Sequence, residues 1–330
     1  MAEKTLLLKT MAQALNDALF TALERDDRVV VLGEDVGRTG GVFRITDDLQ
    51  QKFGEERVID TPVAESGIVG AALGMAIAGL RPVAEIQFLG FSYPGFDQVV
   101  SHVGRIRNRS NHRFTAPLVI RIPFGGGIGA AEHHSESSET IYAHTPGIKV
   151  VAPSTAHDAK GLLLAAIDDP DPVIFLEPIR SYRSVKDEVP EGHYTVPIGE
   201  AAMRREGTDV TLISYGAMMR DTLAAADALA AEGVAATVVD LRTISPLDED
   251  AVVDAAAATG RAVVVVEGHR TGSMASEIAA AIAERALYSL QAPVERVTAW
   301  DTVVPLKRTE QFHIPDTARI VAAAHRTLEA

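Results

Sequence analysis

Apolar runs alternate with amphipathic stretches from one end of the chain to the other, the pattern of a parallel sheet covered by helices. Residues 29–32, 58–61, 82–88, 117–122, 148–152 and 173–176 read as buried strands, because each is a short run dominated by Val, Ile, Leu and Phe. Helical spacing of Met11, Leu15, Ala18, Leu19 and Ala22 predicts a helix over 10–25, with Thr10 as its cap. A long Ala/Gly-rich helix is expected from about residue 65 to 80. Its run from Gly67 to Leu80 is the longest apolar one. At about fourteen residues it is too short for a membrane span and reads as a buried helix.

A charged, weakly periodic stretch follows, carrying Pro178, Pro190 and Pro197. After it the alternation restarts, with strands at 209–214, 234–240 and 261–266 and helices at 217–232 and 272–287. Two α/β domains are therefore expected: residues 1–185, a linker over 186–200, and residues 201–330.

Composition narrows the function classes. In 330 residues, 47% hydrophobic and 23% charged, disorder and fibrous repeats are excluded. A formal charge of −14 argues against nucleic-acid binding. The absence of cysteine removes disulfides, thiolate metal sites and cysteine nucleophiles. It fits a reducing, cytoplasmic setting, and the start Met1 to Met11 shows no long apolar core or cleavage site of a targeting signal.

Three stretches could carry chemistry. In Ile59-Asp60-Thr61-Pro62-Val63-Ala64-Glu65-Ser66-Gly67, a carboxylate stands where a strand ends and a helix starts, the place open α/β sheets put their ligands. On the residues alone Glu65 reads first as a partner for the helix dipole, since an acid at a helix start is common. Apolar flanks would raise its pKa and the dipole would lower it. The aromatic-rich Phe88-Leu89-Gly90-Phe91-Ser92-Tyr93-Pro94-Gly95-Phe96-Asp97 reads as a packed loop with one ring free to meet a planar ligand. Gly125-Gly126-Gly127-Ile128-Gly129 matches neither nucleotide-binding glycine pattern. It implies close backbone approach or mobility. For the paired His133 and His134, a histidine acting in proton transfer is a better reading than zinc, since adjacent residues point apart and no H-E-x-x-H occurs; a solvated loop histidine is the plainer alternative. The Gly-Asp-Gly…Asn pattern that holds magnesium and diphosphate in thiamine diphosphate enzymes is absent.

Several runs, taken together, resemble the beta subunit of the 2-oxo acid dehydrogenases. They are Val31-Leu32-Gly33-Glu34-Asp35-Val36, Asp60 to Glu65, Gly79-Leu80-Arg81-Pro82, Phe96-Asp97-Gln98, His134-Ser135, Pro146-Gly147-Ile148-Lys149-Val150-Val151, Asp240-Leu241-Arg242-Thr243 and Ala292-Pro293-Val294. They follow one another in order over nearly the whole chain. The resemblance implies the thiamine-diphosphate-binding fold: a pyrimidine-type domain, a parallel sheet with helices on both faces, then a transketolase C-terminal-type α/β domain. It implies an α2β2 heterotetramer whose alpha subunit supplies the Mg²⁺ site, a lipoyl acyltransferase core as partner, and a small 2-oxo acid as substrate. Neither nucleic acid nor membrane is an expected partner.

By the same resemblance, Glu65 hydrogen-bonds the cofactor's aminopyrimidine and shares a proton with it. Phe91 stacks on that ring at a position where Tyr is also found. Glu34 and Asp97 are acidic residues near the cofactor, and His134 faces the channel by which the lipoyl arm arrives. A structural potassium ion is implied at Leu118, Ala166, Ile167, Asp169 and Asp171, mostly through backbone carbonyls, with Asp171 standing where Asn is usual. Glu85-Ile86-Gln87-Phe88, Tyr93-Pro94 and His133-His134-Ser135 look like branched-chain members, so 3-methyl-2-oxobutanoate is the first expected substrate. Ser184 to Pro190 and Ile244-Ser245-Pro246-Leu247-Asp248 look equally like pyruvate members, and acetoin dehydrogenases share the scaffold. A split transketolase and a non-catalytic subunit docking an acyltransferase core are the competing classes; the His134 motif disfavours the first and Glu65 the second.

Overall fold

The computed structural model describes residues 5–330; residues 1–4, the start of the stretch read for a targeting signal, lie outside it. The chain forms two compact units, Met1–Phe124 with Ile141–Ile198, and Gly125–Thr140 with Gly199–Ala330.

In the first unit, β1 (Leu6–Thr10) leads into the helix Met11–Arg25. Thr10 caps that helix as expected: its hydroxyl accepts from the Gln13 amide while the Gln13 side chain returns to the Thr10 amide. The apolar stripe Met11, Leu15, Leu19 and Leu23 is buried in the same core as Leu162, Leu163 and Ile167 of the helix Ala156–Asp168. Next come β2 (Val29–Gly33), β3 (Val58–Asp60), β4 (Arg81–Glu85), β5 (Val119–Phe124), β6 (Lys149–Val151), β7 (Val173–Pro178) and β8 (Lys186–Pro190). Strands β2 to β7 pair in parallel in the order β6-β7-β5-β4-β2-β3. Connections leave β2 toward β3 on one side and β4 toward β5 on the other, so the carboxyl ends of β2 and β4 flank a topological switch point.

Two expectations change here. Residues 186–190 do not belong to a linker: β8 pairs antiparallel with β1, Leu6 opposite Pro190 and Thr10 opposite Lys186. A charged ribbon of this kind, Lys-Asp-Glu-Val-Pro, carries little hydrophobic alternation to read. The helix Glu65–Ile77 is not buried all round. Ile68, Val69, Ala72 and Ala76 face the core, whereas Gly67, Ala71, Gly74 and Ala78 are exposed along the opposite side. A helix apolar on both faces with one of them open to water is unfinished surface.

The second unit holds a five-stranded sheet of order β14-β13-β10-β11-β9. Its strands are β9 (Ala202–Arg205), β10 (Val210–Ser214), β11 (Ala236–Asp240), β13 (Ala262–His269) and β14 (Glu295–Ala299), with β12 (Thr243–Ser245) a short strand between β11 and β13 in sequence. Only β9 runs antiparallel, at the edge. Helices Met218–Ala231 and Thr317–Leu328 bury Met218, Ala225, Leu229, Ile320 and Ala324 against Val210, Leu212, Val263 and Val265.

Candidate active site

In the first unit two of the acidic candidates, Glu34 and Glu65, come together at the switch point. Glu34 directly follows β2, where the Gly33 backbone runs so close to β4 that a Cβ there would lie 2.8 Å from the Glu85 carbonyl oxygen. The Glu34 side chain is buried, and its carboxyl pKa is raised first by that burial and then by the charges of Glu65 and Asp35. Glu65 opens its helix half-buried. The loop after β2 is tied down from both neighbouring strands. Asp60, at the end of β3, accepts from the Gly37 amide at 2.6 Å, and the Gln87 amide, just past β4, reaches Asp35 at 3.5 Å.

The aromatic stretch forms a 3₁₀ turn, Leu89–Gly95, that packs on the first turn of the Glu65 helix. The Ser66 hydroxyl donates to the Pro94 carbonyl at 2.5 Å, and a Cβ on Gly95 would sit 3.2 Å from the Glu65 carbonyl oxygen. Inside the turn, Ser92 donates to the Leu89 carbonyl and accepts from the buried Tyr142 hydroxyl, each at 2.6 Å. Phe91 heads a row of rings: its centroid lies 5.3 Å from Phe88, which lies 5.5 Å from Phe43, which lies 5.0 Å from Tyr182. Asp97 takes a different course. It is exposed in the first turn of Phe96–Ser101, accepting from Ser101 of its own helix at 2.8 Å.

Beneath this site lies a charge network that the sequence reading missed. Arg121, fully buried on β5, grips Glu177 with two hydrogen bonds of 2.6 and 2.9 Å and Glu85 with one of 2.6 Å. The Tyr182 hydroxyl also donates to Glu177, at 2.5 Å. Burial pushes the Glu85 carboxyl upward against the pull of Arg121, and pushes the Tyr182 phenol well above its ordinary value. A charged residue in an otherwise apolar strand, as in Val-Ile-Arg-Ile-Pro-Phe, was the available signal.

Four of the residues implied for potassium, Ala166, Ile167, Asp169 and Asp171, lie in the last turn of the helix Ala156–Asp168 and just past its end, and Leu118 lies just before β5. The Ile167 carbonyl accepts from Arg81 at 2.6 Å and the Asp169 carbonyl from the same nitrogen at 3.4 Å. Ala166 accepts from the Asp169 amide at 3.3 Å, and Leu118 from the Val173 amide at 3.0 Å. The carboxylates of Asp169 and Asp171 engage Lys149 at 2.5 Å and Arg107 at 2.6 Å.

His134 belongs to the second unit, half-buried in a short turn, Glu132–His134, after the glycine-rich loop. Nearby, Glu139 is buried and accepts from the Tyr215 hydroxyl, while its other oxygen has no hydrogen-bond partner among the described residues. Burial raises its pKa from 4.5 to about 7. A carboxyl raised on folding binds an extra proton in the native state between those values. Stability therefore falls as pH rises from about 4.5 to about 7. Glu139→Gln, which cannot ionise, is expected to gain stability relative to the wild type at pH 8 and not at pH 4.5. Parallel urea titrations at the two pH values check this; an equal offset at both would contradict it.

Two family descriptions match the chain: the transketolase pyrimidine-binding domain over residues 9–185 and the transketolase C-terminal domain over residues 199–320. A solved structure described as a split-gene transketolase, inactive beta4 tetramer, superposes with a TM-score of 0.77 at 23% identity, over 97% of this chain and 98% of that one. These matches define a transketolase-like fold. The chain is 52% identical over 320 residues to the pyruvate dehydrogenase E1 component subunit beta of Bacillus subtilis, covering 97% of this chain and 98% of that protein. It is 49% identical over 321 residues to the protein of the same name from Acholeplasma laidlawii, with the same coverage. The protein belongs to the E1 beta subunits of the 2-oxo acid dehydrogenases.

Proposed function

We propose that this chain is the beta subunit of a pyruvate dehydrogenase E1 component, working in an α2β2 tetramer in the cytoplasm. The observation that carries the substrate is identity near 50% over the full chain with subunits named for pyruvate. These relatives favour the pyruvate alternative over the branched-chain substrate expected first from the sequence. What supports an alpha partner is the open apolar face of the helix that Glu65 begins.

Carboxyls converging at a switch point, with Glu34 buried and raised in pKa, fit an aminopyrimidine, which offers a ring nitrogen to one acid and an amino group to another. Thiamine diphosphate, when bound, would supply a nucleophilic carbon for the oxo group and an electron sink for the pair that loss of carbon dioxide leaves behind. On this reading Glu65 shares a proton with the ring nitrogen, Glu34 lines the pocket, Phe91 covers the ring face, and Asp97 borders the site through its helix. The alpha subunit holds the diphosphate and its Mg²⁺. Each carbonyl oxygen at the Ala166–Asp171 turn has a second lone pair. The set therefore fits a bracing potassium ion beside Arg81, not in its place.

His134 is the group we assign to acyl transfer onto the lipoyl arm of an acyltransferase core. An imidazole ring can both hold and release a proton, and so can pass one to a dithiolane sulfur as it is reduced. Reconstituted with its alpha subunit, the protein is expected to turn over pyruvate faster than 3-methyl-2-oxobutanoate or acetoin. A preference for the branched-chain acid would reverse the assignment. In His134→Ala, turnover with an artificial electron acceptor should persist while turnover with a free lipoyl domain is largely lost. Equal losses in the two assays would remove His134 from that step.

A further inference from the structure

The glycine-rich loop before His134 is occupied by the protein's own carboxylates. Glu310, buried in the short turn Glu310–Phe312, accepts from the Gly127 amide through one oxygen at 2.7 Å and from the Gly129 amide through the other at 3.0 Å. Glu267, near the end of β13, accepts from the Gly126 amide at 2.6 Å. The glycines follow from this arrangement. A Cβ on Gly125 would stand 2.7 Å from a Glu267 oxygen, and one on Gly126 would stand 3.0 Å from Glu310 and 3.1 Å from Ile314. Gly125, Gly127 and Gly129 also hold φ of 91°, 88° and 72°, in the left-handed region that favours glycine. Successive amides turned to one side form a nest for an anion. Here the anion is covalently part of the chain, which accounts for the run of glycines in this loop.

We propose that Glu310 is a positioning residue. By bridging the Gly127 and Gly129 amides it fixes the loop, and through the loop it sets the place of His134. This inference rests on the role assigned to His134 above. The geometry needs a carboxylate. In glutamine one of the two oxygens becomes an NH₂ group, which turns a donor toward an amide that also donates. Hydrogen bonds to a charged acceptor are among the stronger ones, so losing one should be visible locally.

The test uses the α2β2 enzyme with Glu310→Gln, Glu310→Asp, His134→Ala and the Glu310→Gln/His134→Ala double variant. Amide exchange of the peptide spanning residues 125–135 should speed up in Glu310→Gln by on the order of 10-fold or more. Turnover with a free lipoyl domain should fall, chiefly in kcat, while turnover with the artificial acceptor is retained. Glu310→Asp, which keeps both oxygens and the charge, should recover part of the loss. The double variant should be no worse than His134→Ala, because residues acting as one unit are non-additive. Unchanged exchange in Glu310→Gln overturns the proposal, as does a loss that adds in full to that of His134→Ala. Should Glu310→Gln fail to assemble, Glu310→Asp decides by the same two readouts. If His134→Ala is near wild type in both assays, the role of His134 fails. Faster exchange in Glu310→Gln then still supports the strap on the loop, and unchanged exchange overturns that too.

Discussion

Glu65→Gln, in the assembled α2β2 enzyme, is expected to lower decarboxylation by about 10²–10⁴-fold, the usual loss when a positioned acid–base group is removed. The amide keeps the size and polarity of the carboxyl, and the backbone contacts of that turn do not involve the side-chain oxygens: Gly95 packs on the Glu65 carbonyl, and Ser66 bonds Pro94. Assembly should therefore survive, as sedimentation of the tetramer would show. What is lost is the ability to share a proton with a ring nitrogen. Turnover with an artificial acceptor reports the step without the lipoyl arm. Activity within a few-fold of wild type would remove Glu65 from proton transfer and leave it as a helix-dipole residue.

The second large effect concerns stability. Arg121→Met leaves Glu85 and Glu177 buried without their cation, and breaking a buried ion pair by removing one partner costs about 3–5 kcal/mol. In a domain of this size that corresponds to a fall in Tm of roughly 10 °C. Replacing Glu85, Arg121 and Glu177 together by apolar residues of similar volume should recover much of the loss, since it deletes the charges along with their partner. Calorimetric melting of both variants checks this. A single variant within about 1 kcal/mol of wild type would mean that water or a rearranged partner reaches the network.

The strands of the first unit were readable because a parallel sheet buried on both faces writes continuous apolar runs. Val29–Gly33 and Val173–Pro178, every residue of which is buried, are such runs. The β1–β8 ribbon was not readable, since Lys-Asp-Glu-Val-Pro shows no alternation and its partner is nearly the whole unit away in sequence. Helix Glu249–Thr259 has little to read, because alanine supplies much of its buried surface and gives a weak periodic signal. Helix Thr317–Leu328 is different: its buried and exposed positions alternate at clear helical spacing, so its sequence does carry the signal. Glu65 stands out because it follows a strand and opens a helix, whereas Glu34 is marked only by the family resemblance. Glu267 and Glu310 do not stand out, because a carboxylate that serves a loop far along the chain carries no local mark of that service. The glycines recorded half of the contact; the acids that make it necessary are visible only once the chain is folded.

The exposed stripe Gly67, Ala71, Gly74 and Ala78 lies on the helix whose first residue is Glu65. If a partner subunit seats on that stripe, docking also withdraws water from the carboxyl at the helix start. Catalytic competence and quaternary structure then share one element, and a copy synthesised in excess of its partner is an idle protein with a sticky flank. Its lifetime in the cell would be governed by how soon a partner arrives, so balanced synthesis of the two subunits becomes a requirement of the helix itself.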